Sequence, residues 1–148
     1  MSRLKELYEQ LILDHNKKPR NFGDINPITH FCHGHNPLCG DDYQVMLNVV
    51  DGMIENIAFK GDGCAISKAS GSLMTSALKG MSIKDALLKK DIFLKLVTTD
   101  GFEDKSLGKL HVFEGVRNYP VRVKCAALVW RALEGALDES NENKISTE

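Results

Sequence analysis

The order of elements along the chain predicts an α+β fold, a small antiparallel sheet of about three strands with helices packed on one face. Three observations carry the prediction. Alternating apolar residues from Tyr43 to Phe59 surround an Asp51-Gly52 turn, a helical apolar period opens the chain, and helical periods dominate from Cys64 onward. At 148 residues, 43% of them hydrophobic, the chain is long enough to bury a core of its own, so a metal site would serve function before folding. Residues 1–139 read as a single domain, and 140–148, polar throughout most of their length, as a disordered tail.

The first helix is expected over Ser2 to Asn16, where Leu4, Leu7, Tyr8, Leu11 and Ile12 share a face and Pro19 follows as a stop. Asn21 to Gly40 holds two prolines and three glycines and reads as mostly irregular surface chain. A hairpin follows, Asp42 to Val50 and Met53 to Lys60, because Val45, Leu47 and Val49 alternate with polar partners up to the turn. After Gly61-Asp62-Gly63 small and apolar residues take a helical period, and Gly80 marks the end of that helix. Ser82 is a candidate N-cap, with Asp85 three residues on, for a third helix to about Val97. Thr98 to Gly108 reads as a loop. Tyr119-Pro120 opens the final helix, in which Cys125, Leu128, Ala132 and Ala136 form one stripe.

Nineteen Lys and Arg against twenty Asp and Glu leave a formal charge of -1, which supplies no field for nucleic acid or for an anionic membrane surface. The charged start, Ser2-Arg3-Leu4-Lys5-Glu6, does not resemble a secretion signal, and no apolar run is long enough to span a bilayer. A cytoplasmic location is expected. Four widely spaced cysteines fit thiol or metal chemistry better than a disulfide scaffold.

Three of those cysteines stand at junctions. Cys39 lies in a Pro37 and Gly40 turn with Asp41 two residues later, and Cys64 follows a glycine loop where a helix dipole would favour its thiolate. Cys125 sits early in the last helix with Arg122 one turn before it, a cation placed to stabilise a thiolate. Taken singly, each is equally a small buried hydrophobe. Together with Asp41 they would make a four-coordinate site of soft donors, suited to zinc or an iron–sulfur cluster. His30, His33 and His35 lie near Cys32; a second metal site there is the lesser reading, and surface loop positions are the preferred one. His15, His111 and Trp130 are read as structural.

The segments Asn36-Pro37-Leu38-Cys39-Gly40-Asp41, Gly61-Asp62-Gly63-Cys64-Ala65-Ile66-Ser67 and Arg122-Val123-Lys124-Cys125-Ala126 resemble the three cysteine motifs of U-type iron–sulfur assembly proteins, the IscU and NifU N-terminal-like family. The likeness is to its SufU branch. Lys124 stands where the classical scaffolds carry histidine, and the Cys64 to Cys125 spacer is longer than theirs. The resemblance implies a SufE/IscU-like fold and a zinc site of Cys39, Asp41, Cys64 and Cys125. It also implies a zinc-dependent sulfur acceptor working with a SufS-like cysteine desulfurase and supplying downstream assembly proteins. Cys39 is then the acceptor, Cys125 the alternative acceptor, and Arg122 a supporting cation. Two other functions use the same residues: a scaffold that builds and transfers a [2Fe–2S] cluster, and a structural zinc protein serving as an interaction module.

Overall fold

The computed structural model describes residues 2–38, 40–138 and 144–146, with backbone alone for 2–4 and 144–146. Cys39 therefore lies outside the described residues. Helix α1, Ser2–Lys17, precedes strand β1, His30–Asn36, and the hairpin β2, Asp41–Val50, and β3, Met53–Asp62. Helices α2, Ala65–Leu78, and α3, Ile83–Thr98, lead into a 3-10 segment, Lys105–Asn118, and then helix α4, Pro120–Leu137. The three-residue strand β4, Lys144–Ser146, closes the order.

The three long strands form the antiparallel sheet that the sequence predicts, with β2 in the middle. Its turn at Asp51-Gly52 places both residues at positive φ, 52° and 76°. That is the conformation a two-residue turn needs for its twist to match the strands. Tyr43, Val45 and Leu47 of β2 and Ile57 and Phe59 of β3 point to one face and are fully buried. Helix α4 lies against β1 and β2 there, and α2 against β3. Trp130 of α4 is at the centre of the core, stacked on Phe93 with ring centroids 4.5 Å apart, its indole N–H donated to Ser70 Oγ at 3.2 Å.

Strand β1 corrects the expectation of irregular chain over Asn21 to Gly40. Its inward positions are Cys32, Gly34 and Asn36, and its outward ones carry Phe31, His33 and His35, so composition hid an alternation that β2 and α4 enforce. The expected loop from Thr98 to Gly108 becomes 3-10 turns from Lys105, kinked at Gly108, where φ is 53°. Of the tail expected to be disordered, residues 144–146 run parallel beside His33 to His35. Residues 139–143 and 147–148 are outside the described residues. Among the described residues no helix is long and apolar enough to cross a membrane.

Candidate metal centre

The register of the hairpin sets up the site. Asp42 of β2 faces Asp62 of β3, so the chain leaving β3 through Gly63 runs back beside Asp41, the first residue of β2. Cys64 follows as the N-cap of α2, its backbone extended. The Cys64 N–H donates to Asp41 Oδ1 at 2.9 Å, and the Cys64 thiol reaches Asp41 Oδ2 at 4.0 Å. Helix α4 packs on α2, tied by the Ser70 hydroxyl donated to the Ala126 carbonyl at 2.6 Å, which fixes the height of its second turn. That contact delivers Cys125. Ligand atoms of Asp41, Cys64 and Cys125 all lie within 4.8 Å of one another.

Burial and hydrogen bonding prepare the group chemically. Asp41 and Cys125 are buried and Cys64 is partly exposed. Cys64 has its thiol pushed down to about 6, foremost by its hydrogen bond with Cys125, with burial opposing and the Ser67 N–H and hydroxyl adding to the fall. A helix N-terminus donating to a thiolate is the physical cause of the Ser67 contribution, with Ser67 N 3.5 Å from Cys64 Sγ. The Ser67 hydroxyl is 3.6 Å from the same sulfur and 3.1 Å from the hydroxyl of Tyr43, whose own proton burial holds in place.

Gly63 is required by the crowding. A Cβ on it would stand 2.5 Å from Asp41 Oδ1, 2.5 Å from Ser67 Oγ and 2.7 Å from Tyr43 OH. The room beside Asp41 and Cys64 exists because residue 63 has no side chain. Two soft sulfurs and a carboxylate within 4.8 Å of one another fit a zinc ion or an iron–sulfur cluster as donors.

The other sequence candidates separate clearly. Cys32 is fully buried on β1, its sulfur 2.8 Å from where a Cβ on Gly135 would stand, so it packs in the core against α4. His33 is hydrogen-bonded to Asp42 on the outward face of the sheet. His15, read as structural, is buried with Nδ1 2.6 Å from Ser72 Oγ. His111 hydrogen-bonds the backbone of Asp104. Arg122 is exposed, its guanidinium 4.6 Å from the centre of the Tyr119 ring, and it lines a cleft of about 550 Å³ together with Leu13, Ile66, Val121, Cys64 and Cys125. Ser67 and Tyr43 were not among the sequence candidates. Ser67 had a legible sign, a hydroxyl three residues past a helix-capping cysteine, whereas Tyr43 could be found only through its place on the inward face beside Asp41.

A Bacillus subtilis (strain 168) protein named zinc-dependent sulfurtransferase SufU is 39% identical over 142 residues, 95% of this chain and 96% of that protein. The iron–sulfur cluster assembly scaffold protein IscU of Streptococcus pyogenes serotype M1 is 38% identical over 141 residues, covering 95% of this chain and 88% of that one. A crystal structure from Fervidobacterium islandicum AW-1, described as a candidate iron–sulfur cluster assembly scaffold for the SUF system, superposes with a TM-score of 0.84 at 32% identity. It covers 90% of this chain and 98% of that one. The family described as NifU-like N terminal domain matches residues 7–126, and with motifs, fold and relatives in agreement the chain belongs to that family.

Proposed function

We propose that this protein is a zinc-dependent sulfur acceptor of iron–sulfur cluster assembly, working in the cytoplasm with a cysteine desulfurase as sulfur donor. The observation that supports it most is the convergence of Asp41, Cys64 and Cys125 within 4.8 Å at the start of α2. Cys39, two residues from Asp41 in the sequence, completes the donor set in this proposal. Zinc, when bound, supplies positive charge that keeps such thiols deprotonated at neutral pH.

Cys39 is the proposed acceptor. Its thiolate attacks the outer sulfur of the desulfurase persulfide. A sulfur–sulfur bond forms to Cys39, and the bond to the desulfurase cysteine breaks as that cysteine leaves as a thiolate. Cys39 then carries the outer sulfur to a downstream assembly protein. No oxidant enters and no general acid is needed. Arg122, exposed at the mouth of the cleft, offsets the negative charge of the donor set and offers a cation to the desulfurase.

The test is desulfurase turnover with and without this protein. Stimulation is expected with the wild type and lost with Cys39→Ala. Stimulation that survives Cys39→Ala removes Cys39 as acceptor and passes the role to Cys125. The scaffold function has support of its own in the relatives named as scaffolds and in the same soft donor set. Anaerobic reconstitution followed by transfer to an apo-ferredoxin decides between them, a transferable [2Fe–2S] cluster favouring the scaffold.

A further inference from the structure

Beneath the three donors lies a polar pair that the sulfur chemistry does not use. Ser67 and Tyr43 are both fully buried, so water cannot stand in for either hydroxyl. Ser67 Oγ is 3.1 Å from Tyr43 OH, 3.6 Å from Cys64 Sγ and 3.0 Å from the Cys64 carbonyl, and Ser67 N is 3.5 Å from the same sulfur. Asp41 meanwhile holds the Cys64 N–H at 2.9 Å. Cys64 is thus gripped at its backbone by one donor of the site and at its sulfur by residue 67.

The proton count gives this arrangement a direction. A metal-bound cysteine is a thiolate and accepts hydrogen bonds without donating any. The serine has a single proton, and a charged sulfur competes for it better than the neutral Cys64 carbonyl does, since charge-assisted hydrogen bonds are about twice as strong. Ser67 Oγ is then left as an acceptor, and the Tyr43 phenol, which needs a partner when buried, donates to it. With Cys64 as a metal-bound thiolate the chain would run from Tyr43 O–H to Ser67 Oγ and from Ser67 O–H to Cys64 Sγ, with Ser67 N–H as a second donor to the sulfur.

We infer that Ser67 and Tyr43 are positioning residues that hold the Cys64 sulfur in its ligating position at the centre. The inference rests on the metal-centre reading given under the proposed function. Groups that orient a ligand in this way are worth about 10- to 100-fold in metal affinity. Two donors aimed at one thiolate would restrict its rotation and spread its charge, which would orient Cys64 toward a bound metal and make its sulfur a poorer nucleophile.

The test is zinc affinity by competition with a chromophoric chelator on the full chain, alongside thermal midpoints of the metal-free forms. Wild type, Ser67→Ala, Tyr43→Phe and the double variant Tyr43→Phe/Ser67→Ala are compared. Ser67→Ala is expected to lose affinity by about 10- to 100-fold, and Tyr43→Phe by a smaller factor. Ser67→Ala also orphans a buried phenol and so loses stability, whereas the double variant removes both polar groups and should regain it. The inference requires that the double variant recover its thermal midpoint and still bind zinc weakly. Affinity that returns with stability overturns it, as does wild-type affinity in Ser67→Ala. A wild-type chain that binds no zinc overturns the metal-centre reading itself, and the inference with it.

Discussion

Gly63 concentrates the demands of the site into one position. A methyl group there would meet Asp41 Oδ1, Ser67 Oγ and Tyr43 OH at 2.5 to 2.7 Å, and all three groups belong to buried residues. Gly63→Ala is expected to destabilise the protein by about 1–3 kcal/mol, the range for overpacking a closed site, and to weaken zinc binding because Asp41 must move. Denaturant unfolding and chelator competition measure the two effects. A variant with wild-type values in both shows that the loop adjusts freely. At this scale the chemistry was legible where residue type announces it. Cys64, Cys125 and Asp41 stood out as thiols and a carboxylate at turns and helix starts, and the structure brings all three together. Ser67 and Tyr43 did not, since a serine in a helix and a tyrosine in a strand acquire a role only through the register that stacks them beneath Cys64.

Helix α1 packs on the core with Tyr8, Leu11 and Ile12 and is tied to α2 by a hydrogen bond made by His15. Its Nδ1 shares the Ser72 hydroxyl of α2 with the backbone N–H of Arg20, at 2.6 and 2.8 Å. Burial, with Arg20 and Lys109 nearby, lowers the pKa of His15 below its ordinary 6.5. The folded protein therefore binds fewer protons here than the unfolded chain, and unfolding free energy falls as pH drops below 6.5 toward the lowered folded value. His15→Gln should flatten that slope in denaturant titrations between neutral and mildly acidic pH. An unchanged slope assigns the acid sensitivity elsewhere. The start of α3 gives a second check, because Ser82 Oγ accepts from Asp85 N at 3.1 Å. Ser82→Ala should cost about 1 kcal/mol in the same assay. Elements whose signal is local were legible, among them this cap, the Asp51-Gly52 hairpin and the Pro120 start of α4. Strand β1 was not, because His30, Cys32, His33, Gly34 and His35 have weak strand preference and are drawn into the sheet by β2 and α4.

For the whole molecule the question is how far the fold would depend on a bound metal. The core runs from the inward face of the sheet through Phe93, Phe113 and Trp130 to α2, and none of that apolar cluster requires an ion to bring it together. Chelation is therefore expected to leave far-UV circular dichroism largely intact and to lower the unfolding free energy only by the linkage contribution of binding, about 2.7 kcal/mol at a free zinc concentration a hundredfold above its Kd. Cooperative loss of helix on chelation would instead mark the metal as structural. The central claim is narrower, that Asp41 and the cysteines hold zinc. Metal analysis of protein purified without added metal or chelator, for the wild type against Asp41→Ala, tests it most directly. The account predicts near-equimolar zinc in the wild type and markedly less in Asp41→Ala; equal zinc in both, or iron with acid-labile sulfide in place of zinc, would contradict it.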